Sequence, residues 1–216
     1  KEAFRLLSTL SPTELHACGI GDGKTTTFKP LTFNFGVNEG ESLGARNQKE
    51  MNDEAMQQLL DTTEQSVKDL NTNLQAAKSG SKEHTELSVK IRTMHSLMRD
   101  ISESYQTYAD MSSYDLHGSS KGWWRADQAY NLTAKISFLT ELSGGVNTCN
   151  CASGKDRTGM HVQNALNYAT TMRERMSDQV EFQQVQQLSP QEKLSFYKSN
   201  HFDILEDVAK ESVTTE

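Results

Sequence analysis

The sequence predicts an α/β, helix-rich fold in which a small central sheet is flanked by helices and a long helical hairpin is appended. Three observations carry this. Leu31–Val37 and Val146–Asn150 have the composition of short strands. Two long segments between about 47 and 110 repeat apolar residues in alternating steps of four and three. Prolines are scarce, three in 216 residues, which leaves long stretches free to be helical.

The elements follow in chain order. Gly19, Gly21 and Gly23 with Asp22 mark a turn-rich start. Gly21-Asp22-Gly23-Lys24-Thr25 lacks the spacing of a phosphate-binding Gly-rich loop and reads as a turn into a strand. In the next stretch Leu31, Phe33, Phe35 and Val37 alternate onto one face, a strand pattern. Met56, Leu60, Thr63, Val67, Leu70, Leu74 and Ala77 then form one helical stripe. Ser79-Gly80-Ser81 breaks it, and Leu87, Ile91, Met94, Met98, Ile101, Tyr105 and Tyr108 form a second. Neither polar face is strongly basic, so the two read as a packed hairpin rather than membrane-lying helices.

Residues 110–122 read as a loop. Trp123–Leu142 reads as a helix with Trp124, Gln128, Leu132, Ile136 and Leu139 on one face, ended by Ser143-Gly144-Gly145. After the strand candidate Val146–Asn150 comes a loop over Gly154–Arg157. From Thr158 the helical period resumes through Val162, Ala165, Leu166, Ala169, Met172 and Met176, with Arg173 and Arg175 in the last turns, where cations suit the dipole. The tail from Asp178 is polar and holds one further helix, from about Pro190 to Lys210. Residues 1–216 read as one catalytic domain, with the hairpin at about 47–110 as an insertion or subdomain. The chain starts at Lys1 and reads as a fragment of a longer protein.

Composition narrows the function. The net charge of −7 gives a bulk field that favours neither nucleic acid nor an anionic membrane, so an anionic substrate needs a local positive site. No apolar run approaches the roughly 18 residues of a membrane span, and mean hydropathy is −0.68. Three cysteines make a full disulfide framework unsuitable and fit a reducing compartment. Cys149 and Cys151 have no second cysteine pair or histidine cluster with which to hold a metal.

One stretch carries chemistry: Asn150-Cys151-Ala152-Ser153-Gly154-Lys155-Asp156-Arg157-Thr158-Gly159. Five residues between a cysteine and an arginine can curl into a cup whose backbone N–H groups point inward. Gly154 lets the backbone turn there. The following helix adds the positive end of its dipole. Arg157 can grip two phosphoryl oxygens with its planar fork. Cys151, beneath these donors, would lose its proton readily and attack a bound phosphate in line, giving a phosphocysteine. Thr158 can hydrogen-bond the Cys151 sulfur as it leaves. Asp156 is the general-acid candidate for the departing oxygen. Ser153, Gly154 and Lys155 would line the substrate side.

The motif Cys-Ala-Ser-Gly-Lys-Asp-Arg-Thr resembles the signature of the inositol polyphosphate 4-phosphatase family and its bacterial effector relatives of the SopB, IpgD and SidF kind. A second stretch, Asn34-Phe35-Gly36-Val37-Asn38-Glu39, is similar to that family's other short motif, and the order is the same. The resemblance covers about thirty residues and implies a cysteine-phosphatase-like core, a phosphoinositide substrate at a membrane surface, and a secreted bacterial effector acting in the host cytosol. Without it, a cytoplasmic protein is expected. The sequence departs from the family at Ala152, where a lysine is usual. In the family such lysines are thought to contact neighbouring ring phosphates. Its loss puts 4-phosphate specificity in doubt and leans the expectation toward phosphatidylinositol 3-phosphate or another sparsely phosphorylated inositide, with Lys155 left as the adjacent-phosphate ligand.

Other residues carry weaker expectations. Lys121 and Arg125 flank Trp123 and Trp124 and could add positive charge near headgroups, although such a Trp pair more often belongs to a core. Asn38, with Asn34 and Glu39, could contact substrate or brace the cup. Asp127 sits in a helical pattern and reads as surface charge; Asp110 and Asp115 lie on a loop that could reach the site. His117 and His161 lack partners of metal-ligand spacing and read as surface or capping residues. No cofactor or metal is expected, because Arg157 and backbone N–H groups supply the charge a cation would supply. Two alternatives stay open: a protein phosphatase with the same mechanism, and a non-catalytic module that holds phosphate while the hairpin engages a protein partner.

Overall fold

The computed structural model describes residues 13–16, 25–28, 31–35, 46–109, 122–147 and 156–200. Within them the order is β1 (Thr13–His16), β2 (Thr25–Phe28), α1 (Arg46–Ala76), α2 (Lys82–Ala109), α3 (Gly122–Leu142), α4 (Asp156–Gln187) and α5 (Pro190–Asn200). The chain divides into two compact units, Lys1–Lys68 with Met94–Ala169, and Asp69–Thr93 with Thr170–Glu216.

The expected central sheet is overturned. Among the described residues the β structure is a two-stranded antiparallel hairpin, Thr13 opposite Phe28 and His16 opposite Thr25, and helices make up nearly all the rest. Among the described residues, neither 31–35 nor 146–147 forms a strand. Residues 31–35 run without strand pairing, and the physical reason lies in what satisfies them. The backbone N–H of Asn34 donates to Asn52 Oδ1 at 2.7 Å, and Asn52 Nδ2 donates to the Asn34 carbonyl at 2.8 Å. A side-chain amide on α1 thus replaces the neighbouring strand. The alternating Phe33 and Phe35 stack at 5.5 Å, and Phe35 meets the ring edges of Tyr105 and Tyr108 on α2 at 6.4 and 5.3 Å. The period of two reports an aromatic face laid on helices, not a ladder. In the second candidate, Val146 is 83% exposed and residues 146–147 are irregular; residues 148–150 lie outside the described residues.

The core of the first unit lies among α1, α2 and α3. Ala55, Met56, Leu59, Thr63 and Val67 are buried on α1, and Met94, Leu97, Ile101 and Tyr105 on α2. The buried faces are broader than the single stripes expected; Leu59 is buried and Leu60 only partly so. On α3, Leu132, Ile136 and Leu139 are buried as expected, but so are Ala129, Tyr130, Ala134 and Phe138 on other sides. A helix buried around most of its circumference belongs inside a bundle. A buried tyrosine is paired there: the Tyr105 hydroxyl donates to Asp53, and burial with the adjacent carboxylate pushes its pKa up.

α3 ends in a Schellman turn. Gly144 takes φ +84° and its N–H donates to the Glu141 carbonyl at 2.9 Å, while the Gly145 N–H reaches the Thr140 carbonyl at 2.8 Å. The left-handed angle calls for glycine at 144. At 145, an added Cβ would fall 2.6 Å from the Thr140 methyl. The chain then turns back along α3, because Asn147 Nδ2 donates to the Ser137 carbonyl at 2.8 Å.

In the second unit, Thr85, Val89, Ile91 and Val185 are buried. Gly80, at φ +80°, makes the turn after α1, and Ser81 caps α2 by accepting from the His84 N–H. α4 runs on through Asp178 to Gln187, so Arg173 and Arg175 stand in mid-helix rather than in its last turns. α5 starts at a capping box: Ser189 Oγ accepts from the Glu192 N–H, and Glu192 Oε2 accepts from the Ser189 N–H at 2.9 Å. It runs to Asn200; residues 201–210 of the expected helix lie outside the described residues.

Candidate active site

Helix α4 begins at Asp156, two residues earlier than the apolar period indicates. Asp156 and Arg157, expected on a loop, are therefore the first residues of a 32-residue helix. A carboxylate at that position suits the positive end of the helix dipole, which favours the earlier start. It follows that the Cys-x5-Arg spacing ends inside the first turn of a helix, where backbone N–H groups have no partner within the helix.

Thr158 completes that turn. Its Oγ1 is buried and has no hydrogen-bond partner, the one such side-chain atom among the described residues. A hydroxyl left so costs about 1–3 kcal/mol, so native structures keep few of them. Of the other expected site residues, Cys151, Ser153, Gly154, Lys155, Lys121 and Asn38 lie outside the described residues, as do Ala152, Glu39, Asp110, Asp115 and His117. Arg125 and Asp127 fall on α3, and Arg157 and Asp156 on α4, with side chains outside the described residues.

His161 is corrected by the structure. Expected at the surface or at a cap, it is partly buried one turn after Thr158, with Nδ1 3.1 Å from Thr133 Oγ1 on α3. The Thr133 hydroxyl also lies 3.0 Å from the Tyr130 carbonyl. A hydroxyl has one proton, and a carbonyl can only accept. Thr133 therefore donates to Tyr130 and accepts from His161, which must carry its proton on Nδ1. Burial lowers the imidazole pKa, keeping the ring neutral at neutral pH. Farther along, Tyr168 meets Phe138 edge to face at 6.0 Å. The pairs 161–133 and 168–138 ascend together, so over this stretch α3 and α4 run side by side in the same direction.

The face that α4 turns to α3 is thus that of Thr158, His161, Tyr168 and Ala169. The apolar period is met only in part: Ala169 is buried, but Val162 and Leu166 are 45% and 57% exposed. An open cleft of about 420 Å³ lies beside the first turns, lined by Tyr130, Gly159, Met160, Gln163 and Asn164. No cluster of three potential metal ligands occurs among the described residues. Sequence reasoning missed His161 and Asn52 because each works through a partner remote in the chain. The available signal was local: His161 stands three residues from Thr158, on the same helix face.

Both short motifs fall inside one family match. The family described as Enterobacterial virulence protein IpgD matches residues 21–194, most of the chain. The chain belongs to the IpgD family. No curated protein and no solved structure matches it. The kinship expected from the two motifs holds at the level of a bacterial virulence-protein family. Among the described residues, no helix of this IpgD-family chain is long and apolar enough to cross a membrane.

Proposed function

We propose that the chain is a phosphoinositide phosphatase working through a phosphocysteine. The observation that carries this reading is the start of α4 at Asp156. Arg157 and the buried, unpartnered Thr158 hydroxyl thus stand at the positive end of a long helix that starts five residues after Cys151 in the sequence. A dianionic phosphate suits that position, and the N–H groups there need no reorganisation to receive it.

In the proposed reaction the Cys151 thiolate attacks phosphorus and the P–O bond to the inositol ring breaks. Asp156 gives its proton to the departing oxygen. Arg157 holds two of the equatorial oxygens, and backbone N–H groups of the loop from Ser153 to Lys155 hold the rest. Water, deprotonated by Asp156, then attacks the phosphocysteine. The S–P bond breaks, inorganic phosphate leaves, and Thr158 donates to the thiolate that forms. Lys155, Lys121, Arg125 and Asn38 would meet the ring substituents and headgroup. Ala152 in place of a lysine leans the substrate toward phosphatidylinositol 3-phosphate or another sparsely phosphorylated inositide. Membership of a virulence-protein family supports the reading that this work is done in a host cell, and we take the substrate to lie at a cytosolic membrane face.

Turnover of a phosphoinositide panel tests the reading. Cys151→Ser should lower kcat by about a thousandfold or more while the fold persists. Arg157→Lys should fail nearly as badly, since a point charge cannot replace a bidentate fork. Vanadate should inhibit, and EDTA should not. Activity that survives Cys151→Ser would place the nucleophile elsewhere. In Ala152→Lys, kcat/KM on bisphosphates should rise relative to monophosphates by about tenfold or more, as for a charged hydrogen bond of about 1–3 kcal/mol. An unchanged ratio would remove the lean toward a monophosphate.

A further inference from the structure

We propose that His161 is a positioning residue for the phosphate-binding turn: through Thr133 it fixes the rotation of the first turns of α4, and with it the direction of the Thr158 hydroxyl. The proposal rests on the reading of Asp156, Arg157 and Thr158 given above.

The need for such a device comes from how α4 is held at this end. Val162 and Leu166 are exposed, as is Met160, so the large apolar side chains of its first three turns do little to lock the helix in place. The polar contact at His161 is directional where an apolar contact is not. The Nδ1–H of His161 must aim at a lone pair of Thr133 Oγ1, whose own proton is committed to the Tyr130 carbonyl. Tyr130 and Thr133 lie on α3, where Tyr130, Leu132 and Ala134 are all buried. The acceptor is therefore fixed by the core. Thr158 and His161 are three residues apart and share a face. A helix turns about 100° per residue, so a small roll about its axis would swing the Thr158 hydroxyl and the N–H groups of the first turn together. Holding His161 holds both.

A positioning role differs from a purely structural one in what it changes. Thr133→Val keeps the shape of the side chain and removes the acceptor. In this variant kcat should fall about ten- to a hundredfold with KM changed by less than about twofold, the pattern of misplaced transition-state contacts. Thr133→Ser, which keeps the hydroxyl, should restore kcat to near wild type. So should His161→Asn, whose amide can donate from near the Nδ1 position, whereas His161→Ala should match Thr133→Val. Long-range ¹H–¹⁵N spectra of the intact chain should show His161 as the Nδ1–H tautomer at neutral pH, and Thr133→Val should disturb that signature.

Wild-type kcat in Thr133→Val, a Thr133→Ser variant as impaired as Thr133→Val, or an Nε2–H tautomer for His161 would each overturn the proposal while leaving the phosphatase reading intact. A wild-type chain inert on every inositide and on small aryl phosphates would instead overturn the phosphatase reading, and the proposal with it.

Discussion

Helix α3 and the first part of α4, as far as Ala169, run side by side, yet they are held by opposite means. α3 is buried on several sides, with Leu132, Phe138 and Leu139 at 1%, 1% and 0% exposure. α4 carries the proposed phosphate-binding turn, but among its described residues only Ala169 and Val185 are buried apolar residues. One helix is fixed by packing and the other by a few directed contacts. In the first, a change should alter stability; in the second, it should alter the reaction.

Substitutions can break or sharpen that contrast. The largest effect on folding should come from Phe138→Ala, which empties a core site and removes the ring against Tyr168; it should cost about 3–5 kcal/mol in denaturant unfolding. Leu166→Ala on α4 should stay within about 0.5 kcal/mol. If the two cost the same, α4 is packed in solution and the contrast fails.

Asn52→Ala should come next, at about 1–3 kcal/mol, because it leaves both polar groups of the Asn34 backbone without the amide that pairs them. The same unfolding experiment reads it. Asn52→Leu of similar volume should do no better, since the loss lies in the hydrogen bonds; if it restores stability, the clamp is a matter of packing.

A smaller effect is expected from pH. The pKa of His161 is lowered in the folded chain by burial, so between that value and the ordinary one the unfolded chain binds more protons. Stability from this group is complete above about pH 6.5, the unfolded value, and falls as pH drops toward the folded one. Melting temperature should therefore decline on acidification through that window, and His161→Asn should flatten the decline. An identical slope in that variant would show that other groups set it.

The smallest effect belongs to the exposed capping box of α5. Glu192 has its pKa lowered by its hydrogen bonds to Ser189. Its contribution is present above the usual carboxylate pKa and is lost as pH falls through the lowered one. Glu192→Gln should keep the box, and Glu192→Ala should fray the first turn of α5, seen as faster amide exchange there. Equal exchange in both would mean that Pro190 alone sets the helix start.

How much of this was legible in the sequence depends on the range of the interaction. The helices were readable because their signal is local: the stripes through Met56 and Val67, and through Met94 and Ile101, sit on α1 and α2, and Ser143-Gly144-Gly145 ends α3 as glycine-based helix stops do. The sheet was misread because alternation at Leu31, Phe33 and Phe35 specifies a two-faced extended segment, and cannot say whether a strand or the Asn52 amide will take its backbone. The exposed side of α4 was misread for a related reason. Val162 and Leu166 have core-like spacing yet are exposed, while contacts with α3 are made by His161 and Tyr168. At the site, Cys151 and Arg157 stood out by spacing alone. The pairing of His161 with Thr133 spans 28 positions, and no local pattern announces it.

The parallel run of α3 and α4 also sets a phase relation between two parts of the chain. With His161 level with Thr133, the first residue of α4 stands level with about residue 128. α3 starts at Gly122, so about six residues, roughly 9 Å at 1.5 Å each, project past the mouth of its neighbour. That ledge comprises residues 122–127. Its facing is geared to the distance from Thr133 along a rigid rod. One residue inserted between 128 and 132 would turn the ledge by about 100°, whereas seven, close to two full turns, would nearly restore its rotation while lengthening it by roughly 10 Å. Whatever the ledge faces is selected by chain length as strictly as by residue type.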